Sequence, residues 1–255
     1  MTDDTGGEKN LKTILNAIKV IEAIEDLGGA SLTELASHLN MATSTIHGYL
    51  NTLENAHYIT KADDEYQLSL IFYKHGMHAK RSIGIIEIST PLLDKIAEKT
   101  GETVWLVVEE HGKSVLLEQA TGENAVPMEA DIGDRVDIHS VAGGKAILAY
   151  QDEKYVQEVI DLHGLTPRTE HTITDEETFR KELEQVREQG FAVNQQESVL
   201  GLRSISVPIR RDDEVIAAIS IAGPAHRLTD SRINEEISSI LLEASNEIEL
   251  KMQYT

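Results

Sequence analysis

SLTELASHLNMATSTIHGYLNTLENAHYITKADDEYQLS, residues Ser31 to Ser69, reads as a helix, a turn, a second helix and a two-stranded wing. Ser31 and Glu34 have the spacing of a capping box ahead of a short helix that ends near Leu39. Asn40-Met41 supplies the turn. Thr43 or Ser44 is expected to cap the next helix, whose apolar stripe is Ile46, Leu50 and Leu53. Tyr58 to Thr60 and Tyr66 to Leu68 alternate as two strands around a tip at Asp63-Asp64. Upstream, Leu11, Ile14, Leu15, Ile18, Ile21 and Ile24 recur at helical spacing until Gly28-Gly29 stops the pattern. Three helices and a wing make a winged helix-turn-helix.

The charge pattern singles out the same stretch. The chain of 255 residues carries 44 Asp and Glu against 23 Lys and Arg, a net charge of -21. Between Leu35 and Ala62, however, the only acid is Glu54, where the chain average predicts about five. A surface that approaches phosphates has a reason to lose carboxylates, because each repels the duplex and none releases a counterion. Double-stranded DNA is therefore the expected partner. So large an acid excess is also how proteins stay soluble in a salt-loaded cytoplasm, which points to a halophilic source.

Cysteine is absent, which removes disulfides, thiolate catalysis and Cys-based zinc sites. The opening MTDDTGGEKN has no targeting pattern, and no apolar run reaches the length of a membrane span. A soluble, cytoplasmic protein without membrane association is expected. Residues 1–8 read as a disordered tail, 9–72 as the winged helix, 73–84 as a linker helix and 85–255 as a second domain. The linker helix is expected to be interrupted at Gly76.

That second domain is mixed in texture. GETVWLVVEE and KSVLLEQATG form a hairpin turning at His111-Gly112, and RSISVPIRR with EVIAAISIAGP forms another turning at Asp212-Asp213. HSVAGGKAILAY and DEKYVQEVIDLHGL read as helices. Thr174 and Glu177 make a second capping box, opening a helix to Gln189, and Thr229 caps a long terminal helix. The fold class is α+β.

In a helix-turn-helix the second helix enters the major groove, so Thr43, Ser44, Thr45, His47 and Gly48 are expected at base edges. Asn51 lies one turn beyond His47 on the same face. Ser31, Thr33 and the wing residue Lys61 complete the expected DNA-binding set. The second domain lacks a nucleophile elbow, a dinucleotide fingerprint and a P-loop. GGKA at Gly143 to Ala146 resembles a P-loop's end, but His139 stands where a glycine is required. No enzymatic activity and no cofactor are expected. His75 and His78 have a spacing that zinc sites use, though such a pair is more often a solvated helix face, and no metal site is assigned.

The last hairpin suggests a binding cup. Ser204, Ser206 and Pro208 share one strand face, and Ile216, Ala218, Ser220 and Ala222 share another. Small residues and hydroxyls on a sheet leave a hollow, and the backbone N–H groups of a helix opening at Ala142-Gly143-Gly144 attract anions. A small organic anion is the expected ligand, unless the small residues merely admit a close-packed helix.

In order along the chain, STIHGYLNTLE, GETVWLVV, IGDRVDIHSVAGGKAILA, EQGFAVNQQESVLGLRSISVPI and AAISIAGPAHRLTD resemble the IclR family of transcriptional regulators, over almost the whole length. The resemblance implies a GAF-like α/β effector-binding domain with a central antiparallel sheet. It also implies homodimers or tetramers (dimers of dimers), and effectors that are small organic or sugar-derived acids. Carried over residue by residue, it places the effector at Ala142, Gly143, Asn194, Ser204, Ser220 and Ala222. The chain departs from the family pattern at Gly48, where an arginine is frequent, at Asn194, where some members have an acid, and at Ala222, where a second serine would sit. The function that follows is a DNA-binding transcriptional regulator of a catabolic operon, switched by that effector. A ligand sensor whose winged helix contacts protein is the alternative.

Overall fold

The computed structural model describes residues 11–254 and divides into two compact units, one ending at Ser82 and the other beginning at Ile83. The tail expected over residues 1–8 lies outside the described residues.

The first unit contains α1 (Lys12–Asp26), β1 (Ala30–Ser31), α2 (Leu32–His38), α3 (Thr43–Asn55), β2 (Ile59–Ala62), β3 (Glu65–Leu68) and α4 (Ile71–Ser82). Its core is the set that helical and strand periodicity predicts: Val20 and Ile24 from α1, Leu35 from α2, Ile46 and Leu50 from α3, and Ile59 from the wing. Each such aliphatic side chain contributes about 1.5–3 kcal/mol on burial. The wing has a third, two-residue strand. Ala30 and Ser31 pair with Tyr66 and Glu65, in the order β1-β3-β2. Asp63 and Asp64, at the tip, have φ of 48° and 69°, which short polar side chains tolerate.

Two expectations for this unit need correction. The N-cap of α3 is Ala42, with no side-chain cap, so neither Thr43 nor Ser44 spends its hydroxyl there. The chain closes its turn one residue earlier than the hydroxyls suggest. And α4 runs through Gly76 without a break, because a single glycine only costs about 1 kcal/mol in a helix and leaves its hydrogen bonds intact.

The second unit contains α5 (Ile86–Thr100), β4 (Thr103–Glu110), β5 (Lys113–Thr121), β6 (Arg135–Asp137), α6 (Ala142–Leu148), α7 (Glu153–His163), α8 (Glu176–Gln189), β7 (Ala192–Gln195), β8 (Leu202–Arg211), β9 (Glu214–Pro224), α9 (Asp230–Arg232) and α10 (Ser238–Gln253). Six antiparallel strands run in the order β6-β5-β4-β9-β8-β7. One face packs on α5 and α10 through Ile205, Val207, Ile209, Ala217, Ile219 and Ile221. The other packs on α6, α7 and α8 through Trp105, Val107, Ala218, Val156 and Phe179. The short strands β6 and β7 lacked a period long enough to read from sequence.

The alternation read for β9 breaks at a bulge. Ile209 pairs with Ala217, but Arg210 pairs with Val215, so Ile216 is the extra residue. Val215 thereby joins the α6 side and Ile216 packs toward α5 and α10, the reverse of strict alternation. The cap of α8 is Asp175, one residue past Thr174, and its carboxylate accepts from the Thr178 amide at 2.8 Å. An anion at the positive end of a helix is the better cap, and the Thr178 hydroxyl and amide hold the Asp175 carboxyl below its usual range. Thr229 caps as expected, but the terminal helix is not continuous. A π-helical turn at Ile233–Ile237 separates α9 from α10.

Candidate DNA-binding face and effector cleft

The buried stripe of α3 leaves Thr43, Ser44, Thr45, His47, Gly48 and Asn51 exposed. None of these carries a formal charge at neutral pH with histidine neutral. Asn51 and His47 meet across one turn, with Nδ2 of Asn51 at 3.3 Å from Nδ1 of His47. A Cβ added to Gly48 would find nothing within 4 Å beyond the local helix backbone. Ser31 is engaged locally as the cap of α2. It accepts from the Glu34 amide and donates its hydroxyl to the Glu34 carboxylate at 2.6 Å, while Thr33 lies exposed beside it. Lys61 is paired with Asp64 at 3.0 Å and lies over the Tyr66 ring, so a phosphate must compete with Asp64 for it. His75 stacks on Tyr58, with Nε2 at 3.3 Å from the phenol oxygen, and thereby ties α4 to the wing.

In the second unit every residue of α6 is buried. A Cβ on Gly143 would stand 3.0 Å from the Val107 side chain and 3.1 Å from Oγ of Ser220, and one on Gly144 would stand 2.0 Å from the Ile138 carbonyl oxygen. Gly143 lets the helix lie directly on β4 and β9, and Gly144 lets it pass against the Ile138 backbone that leads into it. The hollow expected over Ser220 is therefore filled by α6, and small residues there serve close packing. Ser220 keeps a buried Oγ without a hydrogen-bond partner. Ser206 donates to the Ile219 carbonyl at 2.8 Å.

One register row outward the sheet is more open. Asn194 pairs with Ser204, Ser204 with Ala222, and Ala222 with Thr103, so these four residues point to one face across four strands. Ser204 and Ala222 are half-buried. Asn194 is buried, donating to the Ser140 carbonyl at 2.8 Å and to Ser198 Oγ at 2.9 Å, and accepting from the Glu197 amide at 2.7 Å. The six expected residues thus fall into two groups. Ala142, Gly143 and Ser220 form the packed contact between helix and sheet, and Asn194, Ser204 and Ala222 form the row beside it.

Sequence reasoning missed a charged knot under this site. Lys145 is fully buried, yet its Nζ donates to Glu182 at 2.8 Å and to Glu197 at 2.7 Å. The Glu197 carbonyl accepts from the Thr172 hydroxyl at 2.6 Å, and the Gln195 amide donates to the Glu197 carboxylate at 3.1 Å. The lysine therefore joins α6, α8, the turn after β7 and the loop before α8. Its signal was a lone cation in the otherwise apolar run VAGGKAILA. His139, just before α6, donates its Nε2 proton to the Thr166 carbonyl at 3.1 Å, and burial holds its imidazole below the usual range, opposed by that carbonyl and by Asp137. Among the described residues no group of three or more His, Asp or Glu is placed to hold a metal, and no helix is long and apolar enough to cross a membrane.

Comparison with known proteins identifies the family. Residues 13–63 match the IclR helix-turn-helix domain, and residues 77–250 match the C-terminal domain of the bacterial transcriptional regulator IclR. The chain is 31% identical over 255 residues to a "Probable HTH-type transcriptional regulator ArcR" of Halobacterium salinarum, covering 98% of this chain and 97% of that one. The acid excess fits a haloarchaeal relative. The crystal structure of Thermotoga maritima IclR superposes with a TM-score of 0.78 at 32% identity, over 95% and 99% of the two chains. An IclR homolog from Microbacterium hydrocarbonoxydans, complexed with 4-hydroxybenzoate, shares the fold at a TM-score of 0.83 and 21% identity, over 96% of this chain and 100% of that chain.

Proposed function

Because the chain belongs to the IclR family of transcriptional regulators, we propose that it binds a double-stranded DNA operator through α3 and is switched by a small organic anion in its second unit. The observation that carries the reading is the outward face of α3, which carries a single carboxylate, the half-buried Glu54 in its last turn, in a chain of net charge -21. Base-edge and phosphate contacts are assigned to Thr43, Ser44, Thr45, His47, Gly48 and Asn51, with Thr33 and Lys61 flanking. At high working salt, counterion release contributes less, and contacts to the bases carry more of the affinity.

Two copies are needed to read two half-sites. Leu11, Ile14, Leu15 and Ile18 stand 65%, 56%, 45% and 44% exposed on one side of α1. That apolar stripe supports pairing of two chains through their first units, with tetramers as dimers of dimers.

The effector is assigned to the row Asn194, Ser204 and Ala222, bounded by Ala142, Gly143 and Ser220. The buried, unpartnered Ser220 hydroxyl supports it, as does the complex of a similarly folded protein with 4-hydroxybenzoate. The genes controlled are those that consume the same acid. A gel shift on the DNA upstream of the gene, with and without 4-hydroxybenzoate and short 2-oxo acids, tests both halves. Absence of any shift would favour a sensor whose winged helix contacts protein. A shift that no acid perturbs would remove the effector assignment. Ala222→Leu is the better block to the cleft, since bulk at Ser220 would lift α6 off the sheet. It should abolish the response and leave the shift intact.

A further inference from the structure

We infer that Asn51 specifies an adenine in the operator's major groove and that His47 is the positioning residue that orients its carboxamide. The inference rests on the DNA-binding reading above and goes beyond it to a base. A carboxamide nitrogen can only donate, so in the contact between Asn51 Nδ2 and His47 Nδ1 the imidazole nitrogen accepts. That contact consumes one N–H of Asn51. What remains to face outward is one donor and one acceptor side by side.

Adenine alone offers the complementary pair on a single base in the major groove, an N7 acceptor beside an N6 donor. Guanine presents two acceptors there, which would leave the Asn51 oxygen facing like charge. Cytosine presents only a donor, and thymine an acceptor beside a methyl group. A groove-buried polar atom without a partner is costly, so the mismatch discriminates more than the match attracts.

The surroundings favour a short reach. Ser44 and Gly48 precede Asn51 on the same exposed face, and no atom beyond the local helix backbone lies within 4 Å of a Cβ placed on Gly48. A helix with so small a leading surface can lie deep in the groove, where a side chain as short as asparagine touches base edges. No cation lies in α3 to bind phosphate instead. The histidine removes the flip of the carboxamide that would exchange its donor and acceptor. The accepting Nδ1 also leaves the His47 proton on Nε2, available as a single donor.

Selection of the full-length chain on a randomised double-stranded DNA library, at the salt of its stability optimum, tests this. Wild type should enrich a half-site containing one invariant adenine. Asn51→Ala should lose preference at that one position and bind the wild-type site on the order of 10- to 100-fold more weakly. Its non-specific affinity and the slope of log affinity against log salt should not change, since no phosphate contact is removed. His47→Ala should relax the same position, and His47→Gln, which again offers an acceptor to Asn51, should restore it. Persistence of the adenine in Asn51→Ala, or relaxation by His47→Ala at a different position only, would overturn the inference while leaving DNA binding in place. Enrichment of no sequence by wild type would overturn the DNA-binding reading itself, and this inference with it.

Discussion

Helices α3 and α6 are the two that the sequence marks for function, and they are built on opposite terms. Thirteen residues of α3 bury only Ile46, Leu50 and Leu53, with Tyr49 and Glu54 half-buried and the other eight exposed. Seven residues of α6 are all buried, down to a lysine. On α3 a side chain can be exchanged with little consequence for folding, so identity there is free to encode recognition. On α6 each residue is fixed from several sides, so whatever a ligand does there is felt by α8, β4 and β9 together.

Substitutions at matched positions sharpen the contrast. The largest effect is expected on α6: Lys145→Met should destabilise the second unit by about 3–5 kcal/mol, because it strands the buried Glu197 carboxylate. Urea melts check this, and a change below about 1 kcal/mol would mean that water already reaches the knot. Gly144→Ala comes next, at about 1–3 kcal/mol, since the new methyl meets the Ile138 backbone, which cannot rotate away. The same change on the other helix should have the opposite sign. Gly48→Ala meets nothing and should stabilise the first unit by about 1 kcal/mol, so a destabilised Gly48→Ala would break the comparison. Ser44→Ala should alter stability by less than about 0.5 kcal/mol while weakening operator binding in a gel shift. Smallest per residue is the response to salt. Raising potassium chloride toward about 1 M should raise the melting temperature by screening the acid excess, and a falling melting temperature would reject the halophilic reading.

How well each region could be read from sequence follows the same divide. Elements with a long apolar period were legible: α1, α3, both hairpins and the cap at Thr229 stand where spacing placed them. Caps at Thr43, Ser44 and Thr174 were misplaced by one residue or two, because several hydroxyls and a carboxylate compete within a single turn and only the closed turn decides. The faces of Val215 and Ile216 were reversed because a bulge is a property of the pairing with Ile209 and Arg210, not of either strand alone. The cleft was half legible. Small residues at Gly143 and Ser220 looked like a hollow, whereas glycine on a helix and serine on a strand also describe two elements in contact. Lys145 was quoted within a phosphate-loop test it failed, and its partners lie 37 and 52 residues away, beyond any local pattern.

That knot has a consequence on an evolutionary scale. Its three charged residues lie on separate stretches of chain, and losing Lys145 leaves the buried Glu197 carboxylate without its counter-charge, whereas losing either glutamate leaves the lysine paired with the other. A lineage is therefore expected to lose the lysine last, after its carboxylates have gone. Replacement of all three by apolar residues of matching volume could be neutral, but an intermediate that lacks only Lys145 is not. Drift is expected to gather on the outward side of α3, where operators can diverge, while Lys145 is kept as long as Glu197 is. A paralogue reading a different promoter would differ at Ser44, His47, Gly48 and Asn51 long before it differed at Lys145.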